Sequence, residues 1–137
     1  MKNEFWLNLA SKDLPRAKEF FTKLGFEMNN RHSAPHMVSM FIGNKKTVVN
    51  LFSETMLQGF QNNAVTQTTE SNEVLFSIGA DSRDEVDEMA KKAVAAGGTL
   101  YAKPGEKDGW MYGCGFVDLD GHRWNILYMD MSKMPGV

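Results

Sequence analysis

The chain has one cysteine, Cys114, among its 137 residues. An internal disulfide is therefore excluded, and so is a thiolate cluster able to hold zinc. Cys114 stands between Gly113 and Gly115 in an apolar run, which marks it as a small core residue rather than a nucleophile. Long hydrophobic runs are also lacking: apolar stretches break within a few residues, far short of the ~20 that a membrane helix needs. The opening "MKNEFWLNLASKDLPRAKEFF" meets Glu4 and Asp13 before a signal-peptide core can form, so a cytoplasmic location is expected. An excess of either charge is missing too. Fifteen basic and seventeen acidic residues leave a net charge of −2 with no basic block, which argues against nucleic acid or an anionic membrane as partner. A small molecule or another protein is the better expectation.

What is present is a periodic pattern that changes with position. "EFWLNLA" alternates, with Phe5, Leu7 and Leu9 on one face of a strand and Trp6, Asn8 and Ala10 on the other. "SKDLPRAKEFFTKLGF" then takes helical spacing through Leu14, Ala17, Phe21 and Leu24, with Ser11 or Asp13 as cap, Pro15 in the first turn and Gly25 as stop. Strands are predicted over residues 26–30, 37–42 and 47–52, with "GNKK" as the hairpin between the last two. Residues 56–71 are polar and weakly patterned, and read as a linker with a helical turn around Thr55 to Phe60.

The pattern then restarts. "EVLFSIG" reads as a strand and "DSRDEVDEMAKKAVAAGG" as a helix with Val86, Met89, Ala90 and Ala93 inward. "TLYAK" is a short strand, "KPGEKDG" a turn, "WMYGCGFVD" a strand, "LDGH" a tight turn and "RWNILYMD" the last strand. The order strand, helix, three strands thus occurs twice, at about 1–55 and 72–137, the signature of a duplicated unit. The expected fold is α+β: one domain of two tandem βαβββ units, with curved mixed sheets forming a cup and helices on the outer side.

Several residues carry a resemblance to a known family. Asp13-Leu14, Ala17, Phe20-Phe21 and Leu24-Gly25-Phe26 in the first unit, with Phe116, Asp118, Asp120-Gly121-His122, Trp124 and Ile126 in the second, resemble the vicinal oxygen chelate superfamily. That superfamily includes glyoxalase I, the bleomycin-resistance proteins and the extradiol dioxygenases. The resemblance implies four side chains, from the first, fourth, fifth and eighth strands, converging on a metal in the metal-dependent members. Here those positions match Trp6, Asn50, Glu73 and Asn125, and a slip along the first strand offers Asn8 or Leu7 instead. Trp has no lone pair to give, and neutral Asn is a poor ligand beside carboxylate or imidazole. The three imidazoles do not mend the set, since His32 and His36 fall in a loop and His122 in a turn. No metal and no other cofactor is therefore expected.

In the last strand Arg123, Asn125 and Leu127 share a face opposite Trp124, Ile126 and Tyr128, and the resemblance points that face into the cup. Trp6, Trp110, Trp124, Tyr112 and Tyr128 read either as core or as pocket wall, and His122 as a surface or hydrogen-bonding residue. The leading functional expectation is metal-independent binding of a small organic ligand in the cup. Its walls would be Trp6, Phe52, Leu75 and Leu127, and its polar fixtures Asn50, Glu73, Arg123 and Asn125. The alternative is a metal-free enzyme in which a desolvated Glu73 is the general base on a carbonyl substrate. A metal-dependent lyase or dioxygenase ranks below both. Exposed sheet edges in such a double unit lead to the expectation of a homodimer.

Overall fold

Short-range chemistry sets the first unit. Strand β1 (Trp6–Ser11) runs into helix α1 (Leu14–Lys23), where Asp13 Oδ1 accepts from the Arg16 backbone N–H at 3.1 Å and Pro15 occupies the first turn. The helix buries Ala17, Phe20 and Phe21 and gives way at Gly25, whose φ of +91° lies in the left-handed region. The computed structural model describes residues 1, 3–31 and 35–136 and the backbone of His32; the side chain of His32, one of the imidazoles weighed above, lies outside the described residues.

Strand β2 (Glu27–Met28) is shorter than the predicted 26–30. Asn29 leaves it to donate through its side chain to Ser39 Oγ at 3.3 Å, and Asn30–His32 curl into a 3-10 turn. Strands β3 (Met37–Ile42) and β4 (Thr47–Ser53) form the expected hairpin. The segment read as a linker begins with a true helix, α2 (Glu54–Gln61), capped by Ser53 Oγ on the Met56 N–H and ended by left-handed Asn62. It holds to the sheet through Phe60, set edge-on to Phe52 at 5.1 Å between ring centroids.

The second unit comprises β5 (Leu75–Ala80), α3 (Arg83–Ala95), β6 (Thr99–Lys107), β7 (Met111–Val117) and β8 (Arg123–Met129). The predicted turn at 103–109 is largely strand, because β6 continues through Pro104 and Gly105 to Lys107. β6 is the outer strand of its sheet, and its pairing with β7 shifts register twice before Gly105. An edge strand with bulges tolerates a residue that has no N–H to give.

Both sheets have the same order, β1-β4-β3-β2 and β5-β8-β7-β6, each with its first and last strands parallel. The duplicated unit inferred from the element order is thus present, as two separate four-stranded sheets. One face of each sheet turns its alternating apolar residues, Val49 and Leu51 in one and Trp124 and Ile126 in the other, into a common core with α1 and α3. Trp124 joins the units: it is 1% exposed and meets Phe21 of α1 edge-on at 5.5 Å. Truncating so large a side chain in such a core costs about 3–5 kcal/mol.

Candidate functional site

The opposite faces of the sheets, free of α1 and α3, carry the polar residues that the alternation singles out. On the first sheet Asn50 lies in register with Asn8, and its Nδ2 donates to Asn8 Oδ1 at 3.1 Å. On the second, Asn125 lies in register with Ser77 and donates to Ser77 Oγ at 3.2 Å. The two pairs occupy the same place in the repeat. Trp6 and Phe52 share the first of these faces, and Leu75, Arg123 and Leu127 the second. Trp6 and Leu75 are 52% and 54% exposed, so the core reading of Trp6 does not hold, whereas Trp124 is core. The Arg123 guanidinium stacks on the Tyr101 ring at 4.8 Å, and that ring covers Gly115 so closely that any side chain there would collide with it.

A cavity of about 310 Å³ opens along the free edge of β1, beneath α2. Leu7, Leu9, Leu57 and Phe76 give it apolar wall; Asn8, Gln61, Asn72, Glu73 and His122 give it polar points. Of the residues expected at a site, Glu73 belongs to this lining, while Asn50 adjoins it through its bond to Asn8. Glu73 precedes β5 and is exposed, so it stands at the mouth rather than in the apolar surroundings supposed for it. Leu7 and Asn8, the alternatives to Trp6 on the first strand, line it as well, whereas Leu57, Gln61, Asn72 and His122 were not expected there. The alternation of β1 offered a signal for Asn8; the others depend on how residues 57–72 fold back over the sheet.

The turn before β8 is the most densely bonded polar element near the cavity. Asp118 Oδ1 accepts from the N–H groups of Asp120 and His122, at 2.9 and 3.0 Å. Its Oδ2 accepts from Trp124 Nε1 at 3.0 Å and faces His122 Nδ1 at 2.9 Å. The turn also binds its neighbours: the Lys12 N–H donates to Asp120 Oδ1 at 2.8 Å, and Asn72 Nδ2 donates to the carbonyls of Thr68 and Gly121 at 3.2 Å each. His122 is 5% exposed, so of its two expected roles the hydrogen-bonding one applies and the surface one does not. Burial by itself would lower the pKa of its ring, but the hydrogen bond and charge of Asp118, with the charge of Asp120, prevail and raise it. Cys114 is buried and its thiol faces the Val86 carbonyl at 3.8 Å; burial, then the charge of Asp87, pushes its pKa up to about 11. It has the surroundings of a packed thiol, not of a nucleophile.

The donor set at the positions that bind metal in related folds does not suit a divalent ion. Asn50 and Asn125 donate through Nδ2 to Asn8 and Ser77 and have only a neutral amide oxygen to offer a metal, a poor ligand beside carboxylate or imidazole, while Trp6 offers no lone pair. Among the described residues no three His, Cys, Asp or Glu side chains come together. His36, for its part, lies in an exposed turn.

Two tandem βαβββ units, an Asp-rich turn entering the last strand and paired polar residues on the first and last strands of each sheet define a recognisable class. The family model of the Glyoxalase/Bleomycin resistance protein/Dioxygenase superfamily matches residues 5–126, and the chain belongs to that superfamily. It is similar to the solved structure of hypothetical protein SA1046 from S. aureus, at 35% identity and a TM-score of 0.82, over 93% of this chain and 94% of that one. A glyoxalase-related enzyme from Fulvimarina pelagi shares the fold at 20% identity and a TM-score of 0.80, over 92% and 88% of the two chains. Lactoylglutathione lyase from Agrobacterium tumefaciens does so at 17% identity and a TM-score of 0.68, over 96% and 98%. Among curated proteins no sequence matches. No helix among the described residues is long and apolar enough to cross a membrane.

Proposed function

We propose that this chain binds a small organic ligand without the help of a metal, and that two copies assemble to complete the binding surface. The observation that carries this reading is the cavity of about 310 Å³ along β1, whose wall mixes apolar side chains with a few fixed polar ones. That is the composition of a site for a compact organic molecule. Asn8 and Asn50 supply one polar contact and Glu73 another at the mouth. Trp6 and Phe52 on the first sheet, with Leu75, Arg123, Asn125 and Leu127 on the second, supply the surface that a second copy encloses. Exposed Trp6 and Leu75 beside two sheet edges that lack a partner strand favour such association. A catalytic role for Glu73 has less support, given its exposure.

The test combines metal analysis, ligand screening and mass. After dialysis against chelator, the full chain is expected to hold no stoichiometric zinc, manganese or iron, and small organic compounds that raise its melting temperature should do so equally with and without added metal. Asn8→Leu, in the cavity wall, should weaken such binding and move stability by less than about 1 kcal/mol, because the side chain it replaces is exposed. Sedimentation at tens of micromolar should show a species twice the 15.4 kDa chain. One equivalent of tightly held metal per chain, abolished by Glu73→Gln, would overturn the metal-free reading, and a species of single-chain mass would overturn the dimer.

A further inference from the structure

The cavity wall contains one imidazole, and its surroundings fix which nitrogen it presents. Asp118 Oδ2 lies 2.9 Å from His122 Nδ1, and the same carboxylate accepts from Trp124 Nε1 and from two backbone N–H groups. A carboxylate surrounded by donors has only acceptance to offer, so Nδ1 carries the proton and the neutral ring keeps its lone pair on Nε2. Among the described residues no buried side-chain nitrogen or oxygen lacks a partner, and no protein group bonds Nε2. Nε2 therefore keeps contact with solvent, and the space that His122 lines is the cavity.

Two other polar residues of the wall, Gln61 and Asn72, lean the same way. Gln61 spends its amide N–H groups on the carbonyls of Asn63 and Ala64, and Asn72 spends its own on Thr68 and Gly121. What Asn72 turns to a ligand is its oxygen, and Glu73 adds a carboxylate at the mouth. The end of the wall around His122 and Asn72 thus offers acceptors, while Asn8 keeps amide donors on the β1 side. A hydroxyl suits such a site, because it brings a donor for the imidazole and keeps an acceptor for the amide.

We propose that His122, held by Asp118, is the ligand-contacting imidazole of this cavity, and that the ligand is a compact apolar molecule with a hydroxyl group donating to Nε2. The apolar body lies against Leu7, Leu9 and Phe76, and Asp118 is a positioning residue that does not touch the ligand. This inference rests on the cavity being the ligand site. The ring's tight seat matters for the test, because Asn at position 122 keeps an N–H donor toward Asp118 while deleting the Nε2 position.

The probes are benzyl alcohol and benzyl methyl ether, of similar body, with and without the O–H donor. They are titrated into the nitrogen-15-labelled full chain at an alkaline pH where long-range imidazole spectra show the His122 ring neutral, since Asp118 raises its pKa above the ordinary imidazole value, and binding is followed in the same spectra. Benzyl alcohol should move the His122 Nε2 resonance much more than Nδ1, and bind about tenfold more tightly than the ether. His122→Asn should bring the alcohol to the ether's affinity and leave the ether's unchanged. If alcohol and ether bind equally and Nε2 does not move, the role of His122 is wrong while the cavity stands as a ligand site. If neither binds at millimolar concentration, both readings fail. Should His122→Asn not fold, the alcohol-to-ether ratio and the Nε2 shift in the unaltered chain decide the matter.

Discussion

The indole nitrogen of Trp124 donates to Asp118 across 3.0 Å, so the largest side chain of the core is hydrogen-bonded to a carboxylate buried in the turn before its own strand. The contact ties the aromatic packing between the units to the orientation of His122, because Asp118 Oδ2 faces both groups.

Asp118→Asn tests that joint. The amide replaces one acceptor oxygen by a donor that faces other donors, in a place 6% exposed. A loss of about 2–4 kcal/mol is expected in urea denaturation. A loss below about 0.5 kcal/mol would show that the hydrogen bonds of the turn contribute little to the fold.

The His122 ring gives a pH signature. Its pKa in the folded chain is raised, so its favourable contribution is fully present below the ordinary imidazole value of 6.5 and fades as pH climbs through the higher folded value. Comparing the chain with His122→Asn by chemical denaturation between about pH 6 and pH 9 isolates this group. The stability of the unaltered chain should fall relative to the variant as pH rises; the opposite slope would mean that burial outweighs Asp118.

Cys114 should be inert in the native state. With its thiol pKa pushed up to about 11 by burial and then by Asp87, iodoacetamide at about pH 8 should leave intact protein unmodified and add one label in denaturant. Intact mass reads the outcome directly, and rapid labelling of the native chain would contradict the packing described.

Gly121 and Gly109 separate two costs that glycine relieves. Both have positive φ, +91° and +78°, but a Cβ on Gly121 would come within 2.7 Å of the Thr68 backbone, whereas one on Gly109 meets nothing within 4 Å. Gly109→Ala should cost about 1 kcal/mol from conformation alone, and Gly121→Ala at least about 2 kcal/mol because the segment around Thr68 must move as well. Equal losses would indicate that the segment is loosely held.

The repeated unit was legible because each of its elements carries a local signal. β1 and β8 alternate, α1 and α3 bury every third or fourth residue, and Gly25 and Gly97 stand where positive φ ends a helix. α2 was harder, since its eight residues bury no side chain fully and its Ser53 cap overlaps the end of β4. Pro104 misled for a physical reason: it excludes a central strand, but β6 is at the edge. The open faces with Asn50 and Asn125 followed from alternation, while the cavity did not, because it joins β1, α2, the loop at 65–74 and the turn at His122, which lie far apart in the chain. "LDGH" announces a turn. Whether its imidazole points out or in depends on Thr68 and Asn72 lying over it, and no local pattern encodes that packing.

The aromatic contact between the units also bears on how the chain is made. All strands of the first sheet are present once Ser53 has emerged from the ribosome, yet the rings of Phe20 and Phe21 face Phe116 and Trp124, which are synthesised more than sixty residues later. At ordinary translation rates of about 5–20 residues per second, that leaves an oily patch on the nascent first unit waiting for seconds. A chaperone that reads exposed aromatic side chains would find its window there, and the arrival of Trp124 would close it.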